Sequence, residues 1–204
     1  MIRILIVLLC LCSLSSCSNN KKYNTFIGSN IANINLKEMD NTFCFSKIDS
    51  SYLDKISSEN AYSSNKKKSF DSLIKKTGKL YISIGLFDLL KGIYLDSNQL
   101  KYKFSSSVLE VYEIHLVNVV NEVYSINPNL EVYLFSLYSP YPNSDGEFVD
   151  DLLIGVNLFN LSIQDIAKEN SCGYIDISYL SNHMQDFNKV NESVVEKLLE
   201  NIYG

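Results

Sequence analysis

Apolar and polar positions alternate along this chain in blocks whose period changes. Thr25-Phe26-Ile27 is a short apolar run ending at Gly28, and Thr42-Phe43-Cys44-Phe45 is a second. Lys79 to Ile84 is a third, closed by Gly85; Glu131 to Leu137 is a fourth and Gly173 to Ile177 a fifth. The fourth is almost continuously apolar, as a strand covered on both faces must be. Between these runs the spacing turns helical. Apolar residues at 108, 109, 111, 112, 116, 119, 120 and 123 fall near a 3.6-residue period, and Asn127-Pro128-Asn129 stops the helix. Phe148 to Lys168 predicts a second long helix, and Glu192 to Tyr203 a closing one with Asn191 as its N-cap. Ser51 to Ser58 and Ser69 to Lys76 are compatible with shorter helices. Asn60 to Lys68 reads as a polar loop, with Lys66-Lys67-Lys68 as a solvated turn, and Tyr138 to Asn143 as a loop with two prolines. Strands of the buried type alternating with helices predict an α/β domain, a three-layer α/β/α sandwich around a five-stranded parallel sheet. In such a sheet the site lies beyond the carboxyl ends of the strands. That rule selects Gly28 to Asn30, Ser46 to Asp49, Gly85 to Asp88, Tyr138 to Asn143 and Ser178 to Asn188.

The first seventeen residues obey a different rule. Arg3 precedes an apolar run from Ile4 to Leu14 that is too short to span a bilayer, and Leu14-Ser15-Ser16-Cys17 follows. That ending resembles the lipobox of bacterial lipoproteins. The resemblance implies cleavage before Cys17, a diacylglycerol on its sulfur, and anchoring outside the cytoplasm by two or more acyl chains. The expected plan is a signal peptide over 1–16, a lipidated Cys17 with a polar tether to Lys22, and one domain over 23–204. An ordinary cleaved signal with an incidental cysteine is the alternative.

Charge narrows the partners. The chain holds 18 basic and 23 acidic residues, and Arg3 is the only charge before Cys17. The mature form therefore has 17 basic against 23 acidic, a net charge of −6, which argues against a nucleic-acid partner. Three of the five cysteines lie in the leader region; Cys44 and Cys172 remain, and a buried free thiol is the expectation for Cys44. His115 and His183 have no Cys or His neighbour at metal-ligand spacing, so no metal and no cofactor are expected.

The blocks at the strand ends resemble those of the SGNH (GDSL-type) hydrolases, lipoprotein members included, over nearly all of the mature length. Tyr23 to Ile34, YNTFIGSNIANI, resembles the nucleophile block, a strand running into Gly-Asp-Ser. Lys79 to Leu90, KLYISIGLFDLL, resembles the block ending Ile-Gly-x-Asn-Asp-Leu. Leu130 to Asn143, LEVYLFSLYSPYPN, resembles the strand and Tyr-x-Pro-Phe loop, and Asp49 to Ile56 falls where a glycine turn runs into Asp-Leu-Leu. The resemblance implies a flavodoxin-like strand order, 2-1-3-4-5, and an esterase site. Such a site needs a serine, a histidine oriented by an aspartate, and oxyanion donors from a glycine amide and an asparagine.

The catalytic positions depart from that pattern. Without a gap, Asn30 stands at the nucleophile and Ser29 at the preceding aspartate; a one-residue shift restores Ser29 but moves it off the turn. Phe87 stands at the oxyanion asparagine, and a phenyl ring donates no hydrogen bond. Phe45-Ser46-Lys47-Ile48 carries no glycine ahead of Asp49. In the final Asp-x-x-His block, one register sets Gln185 and Asn188 in those places and the other sets Asp186 and Lys189. His183 lies several residues too early, and His115, mid-helix, reads as a satisfied helix residue.

No complete catalytic set results. Ser29, His183 and Asp186 are the nearest candidates; Gly28, Asn30, Gly85, Phe87, Asp88, Tyr138, Tyr141 and Asn188 are expected to line the cleft. Asp88 also suits a helix N-terminus. Three readings stand. The first is a membrane-tethered SGNH-like domain that binds an envelope ligand without hydrolysing it. The second is an active esterase on acyl or acetyl esters of lipids or envelope glycans, with Ser29, His183 and Asp186 displaced into service. The third is a solute-binding or structural lipoprotein on an unrelated α/β frame, which a different strand order would favour.

Overall fold

The strands take their places because their side chains alternate between two apolar layers. In the computed structural model the described residues are 23–28, 42–45, 60–63, 66–141, 146–186, 189–190 and 192–203. The expected signal peptide, Cys17, the tether, Ser29, Asn30, Asp49, the helix over 51–58, Asn188 and Asn191 lie outside them. The parallel strands are β1 (Tyr23–Ile27), β2 (Thr42–Phe45), β5 (Thr77–Ile82), β8 (Glu131–Phe135) and β9 (Gly173–Ile175). Their order is β2-β1-β5-β8-β9, with all four neighbouring pairs parallel. Renumbered along the chain this is 2-1-3-4-5, the flavodoxin-like order. It removes the reason to prefer the third reading.

Residues Ile27, Leu80, Ile82, Val132 and Leu134 project into one core. It is covered by α1 (Phe70–Ile74), α2 (Leu86–Leu90), α3 (Ser106–Ile126) and α4 (Glu147–Glu169). Their neighbours Phe26, Tyr81 and Phe135 project the other way, under Leu198 of α5 (Glu192–Tyr203). Phe26 and Tyr81 stack at 4.6 Å between centroids, and Tyr81 and Tyr133 at 5.2 Å, so an aromatic row crosses the three central strands. Period-2 alternation with both faces buried is what produced the continuous apolar runs.

Two expectations need correction, and one element was not foreseen. Asn60 to Lys68 is not a loop: β3 (Asn60–Ser63) and β4 (Lys66–Ser69) form an antiparallel hairpin that extends the sheet beyond β2. The lysine run lies on the outermost strand, and lysines at a sheet edge discourage pairing with another chain. A second hairpin, β6 (Ile93–Asp96) with β7 (Gln99–Tyr102), occupies a stretch with no assigned element. Its turn residues Ser97 and Asn98 both have positive φ, 49° and 65°, as a type I′ turn requires. His115, read as satisfied, is half-buried, and its Nδ1 is buried without a hydrogen-bond partner. Among the described residues no helix is long and apolar enough to cross a membrane.

Candidate functional site

The carboxyl ends of the five parallel strands form the rim at which the sequence placed its candidates. At the centre, β1 and β5 close together through the Ser83 amide, which donates to the Ile27 carbonyl at 2.8 Å. Gly28 follows with φ +127°, and a Cβ there would land on the Ser83 carbonyl oxygen. Gly85 has φ +114°, and its Cβ would sit 2.6 Å from the Tyr112 ring. Both turns therefore need glycine for backbone conformation and for space. Tyr112 of α3 is fully buried beneath the second turn and donates its hydroxyl to the Ile84 carbonyl at 3.2 Å. Burial, then the negative charges of Asp88 and Glu113, hold that phenol well above its usual range.

Helix α2 starts at Leu86, directly after Gly85. Asp88 lies in its first turn, 3% exposed, with its carboxylate 2.7 Å from the Lys91 ammonium. A carboxylate there also faces the positive end of the helix. Phe87, in the place the resemblance gives to the oxyanion asparagine, is 50% exposed. It presents an apolar surface at the rim.

The other half of the rim is built on serines. Ser136, at the end of β8, donates its hydroxyl to Asp176 at 3.0 Å and accepts the Ile177 amide at 2.6 Å. Asp176 also accepts the Ser178 amide at 2.8 Å. Burial pushes the Asp176 carboxyl up, but bonds from Ser178 and Ser136 outweigh it and hold the group below its ordinary value of 3.8. The next residue of the β8 loop is clamped by α4. The Asn160 carboxamide oxygen accepts the Leu137 amide at 2.6 Å, and its NH₂ donates to the Leu137 carbonyl at 3.0 Å. The Ser139 amide then donates to the Ser181 hydroxyl at 2.9 Å, tying the loop to a 3₁₀ turn over Ser178–His183.

The structure thus brings Gly28 against Ser83 at the central strand ends, and joins the β8 loop to the turn carrying His183. His183 is exposed, its ring edge-on to Tyr179 with centroids 6.4 Å apart. Asp186 follows on β10 (Met184–Asp186), and its Cα partner across to β11 (Lys189–Val190) is Lys189. The two residues of one sequence register for the final block therefore face each other across a two-stranded ladder.

Tyr138 is a correction. It is 3% exposed among Phe26, Phe135 and Leu180, so it belongs to the core, where burial raises its phenol to about 12. Tyr141 lines a groove of about 410 Å³ with Leu100, Lys101, Glu147 and Phe148, none of the other residues expected in the strand-end cleft among them; its ring meets Phe148 edge-on at 5.0 Å. The groove lies between the β6–β7 hairpin and the start of α4. Asn160, Ser136 and Asp176 were not singled out in the sequence, and Ser181 only as part of the Ser178 to Asn188 segment; each is an ordinary polar residue whose role exists only through a partner more than 20 positions away or in a turn.

Cys172 is a free, half-buried thiol 3.7 Å from the Tyr124 hydroxyl, raised above its usual range mainly by burial. Cys44 lies on β2 and Cys172 precedes β9, four strand spacings apart. At about 4.8 Å per spacing this separation is on the order of 19 Å, too far for a disulfide. Among the described residues no group of three His, Cys, Asp or Glu side chains could hold a metal ion.

No protein-family model matches the chain, and no curated relative gives a significant sequence match. Solved structures do match. An acetylxylan esterase from Geobacillus stearothermophilus superposes with a TM-score of 0.59 at 13% identity, covering 90% of this chain and 95% of that one. The acetyl xylan esterase AlAXEase gives 0.59 at 12% identity, covering 88% and 98%. A GDSL-like lipase from Bacteroides thetaiotaomicron gives 0.55 at 13% identity, covering 89% of each. Identity this low speaks only for architecture, and with the observed strand order it leads to one conclusion: the chain has the SGNH (GDSL-type) hydrolase fold.

Proposed function

We propose that the chain is an envelope lipoprotein, anchored through Cys17, whose strand-end rim binds a ligand without hydrolysing it. The observation that carries this reading is Phe87. It occupies the first turn after Gly85, where an oxyanion donor belongs, and half of its surface is open to solvent. Losing one such donor costs about 10²–10³ in rate. The exposed His183, whose ring stands edge-on to Tyr179, adds to the argument. The test is direct. The purified mature chain is expected to turn over short p-nitrophenyl acyl esters no faster than a heat-denatured control.

A second reading is an esterase acting through Ser29, His183 and Asp186. It is favoured by the position of His183 and Asp186 on consecutive segments just past β9, and by the esterase names of the structural neighbours. Turnover lost in both Ser29→Ala and His183→Ala would establish it and overturn the first.

A further inference from the structure

We infer that the outer face of α3 and α4 is a docking groove for an amphipathic helix of another polypeptide, one whose apolar stripe is flanked by lysine or arginine. The groove shares no residue with the strand-end rim, and the inference stands whether or not the rim turns over esters. Helices α3 and α4 each carry the chain from one parallel strand back to the start of the next, so they run side by side in the same direction. Between them lies a groove of about 430 Å³, with Ile114, Val117 and Ile166 as its apolar walls. The Ser162 hydroxyl donates to the Glu113 carboxylate across it at 2.7 Å. The apolar surface continues past the groove. Val111 lies one turn before Ile114 on α3, and Ile154 and Leu161 lie two turns apart on α4; each of the four has about half or more of its surface in water. The inward stripe of the same helices, Tyr112, Leu116, Val156 and Phe159, already fills the core. The outward residues are therefore a second stripe at helical spacing, the surface on which another helix packs.

Charge selects that helix. Glu113, Asp165 and Glu169 stand along the groove, and among the described residues no basic side chain lines it. Over their whole length α3 and α4 carry eight acidic residues and one lysine, Lys168. Among the described residues no group of three His, Cys, Asp or Glu side chains could hold a metal ion, so these carboxylates are spread out and suit several cations carried on one chain. An anionic leaflet is repelled by such a face, and a second copy laid face to face would set acid against acid. A helix with lysine or arginine beside its apolar stripe meets both features: its aliphatic side chains cover Val111, Ile114 and Leu161 while its cations reach the carboxylates.

The experiment titrates the purified mature chain into a fluorescein-labelled peptide of leucine and lysine in amphipathic helical order, about five turns long. Anisotropy reads binding, and amide chemical shifts map it. The inference predicts saturable binding with shift changes confined to residues 111–118 and 154–169. Ile114→Ser/Leu161→Ser should weaken it about tenfold or more, and Glu113→Gln/Asp165→Asn should flatten its salt dependence. Asp71→Asn/Asp96→Asn removes the same charge from exposed positions elsewhere and should bind as the parent does. All of the substituted groove residues lie at the surface or keep their hydrogen bond, and circular dichroism should be unchanged. Equal affinity for the same leucines and lysines in shuffled order, or for a leucine–glutamate helix, would overturn the inference. Equal weakening in Asp71→Asn/Asp96→Asn, or shift changes at the strand-end rim, would do the same. A dimer of the chain alone that Ile114→Ser/Leu161→Ser dissociates would give the face to a second copy and overturn the choice of partner.

Discussion

Replacing Asn160 by alanine should loosen the rim from within. Asn160 is 8% exposed on α4 and satisfies both backbone groups of Leu137, which is itself fully buried. Alanine leaves an amide and a carbonyl in the interior with no partner. Each such group costs about 1–3 kcal/mol, so the pair should cost roughly 2–5 kcal/mol. Urea unfolding followed by circular dichroism measures it. With a slope near 2 kcal/mol/M, the midpoint should fall by about 1–2.5 M. Asn157→Ala, on the exposed face of the same helix, is the control and should stay within about 0.5 kcal/mol of the parent. A loss below about 1 kcal/mol for Asn160→Ala would refute the claim that this clamp sets the path of the β8 loop.

Other outcomes follow from the same geometry. Gly28→Ala should destabilise by more than about 3 kcal/mol or fail to fold, because φ is +127° and the new methyl meets backbone; a melting temperature equal to the parent's would contradict this. Asp176 has a folded-state pKa below its ordinary 3.8, so its contribution to stability is complete above that value and is lost as pH falls through the folded pKa. Asp176→Asn should therefore remove part of the acid sensitivity measured by urea unfolding between pH 6 and 2, and unchanged sensitivity would count against the Ser136–Asp176–Ser178 network. Ser171 ends α4 at φ 57°, with the Cys172 amide bonded back to the Ala167 carbonyl at 2.8 Å. Ser171→Gly should raise stability by up to about 1 kcal/mol, read as a higher urea midpoint.

What the sequence disclosed depended on how local the signal was. The strands β1, β5, β8 and β9 announced themselves because burial on both faces makes short unbroken apolar runs, and α3 and α4 because one apolar stripe repeats over about six turns each. The two hairpins were hidden for a physical reason. Strands β3 and β4 carry Asn, Ser and Lys at an edge where no second apolar layer is demanded, and the β6–β7 turn uses Ser97-Asn98 instead of a glycine pair. Gly28 and Gly85 were legible because a glycine closing an apolar run marks a special backbone position. Tyr138 was misplaced because a loop composition says nothing about which way one ring turns; the structure sends it under α5. Asn160 could not be found at all, since its partner Leu137 lies 23 residues away, and Ser181 fell inside the selected Ser178 to Asn188 segment with nothing to mark its bond to Ser139, 42 residues away.

The proposal that the rim holds no working nucleophile is tested most directly by covalent labelling. The native chain is incubated with a fluorophosphonate ester, which phosphonylates a serine only when a base activates it and oxyanion donors receive the charge. Intact-mass spectrometry after the reaction is predicted to return the unmodified mass. A stoichiometric adduct that maps to Ser29 and is absent in His183→Ala would contradict the account.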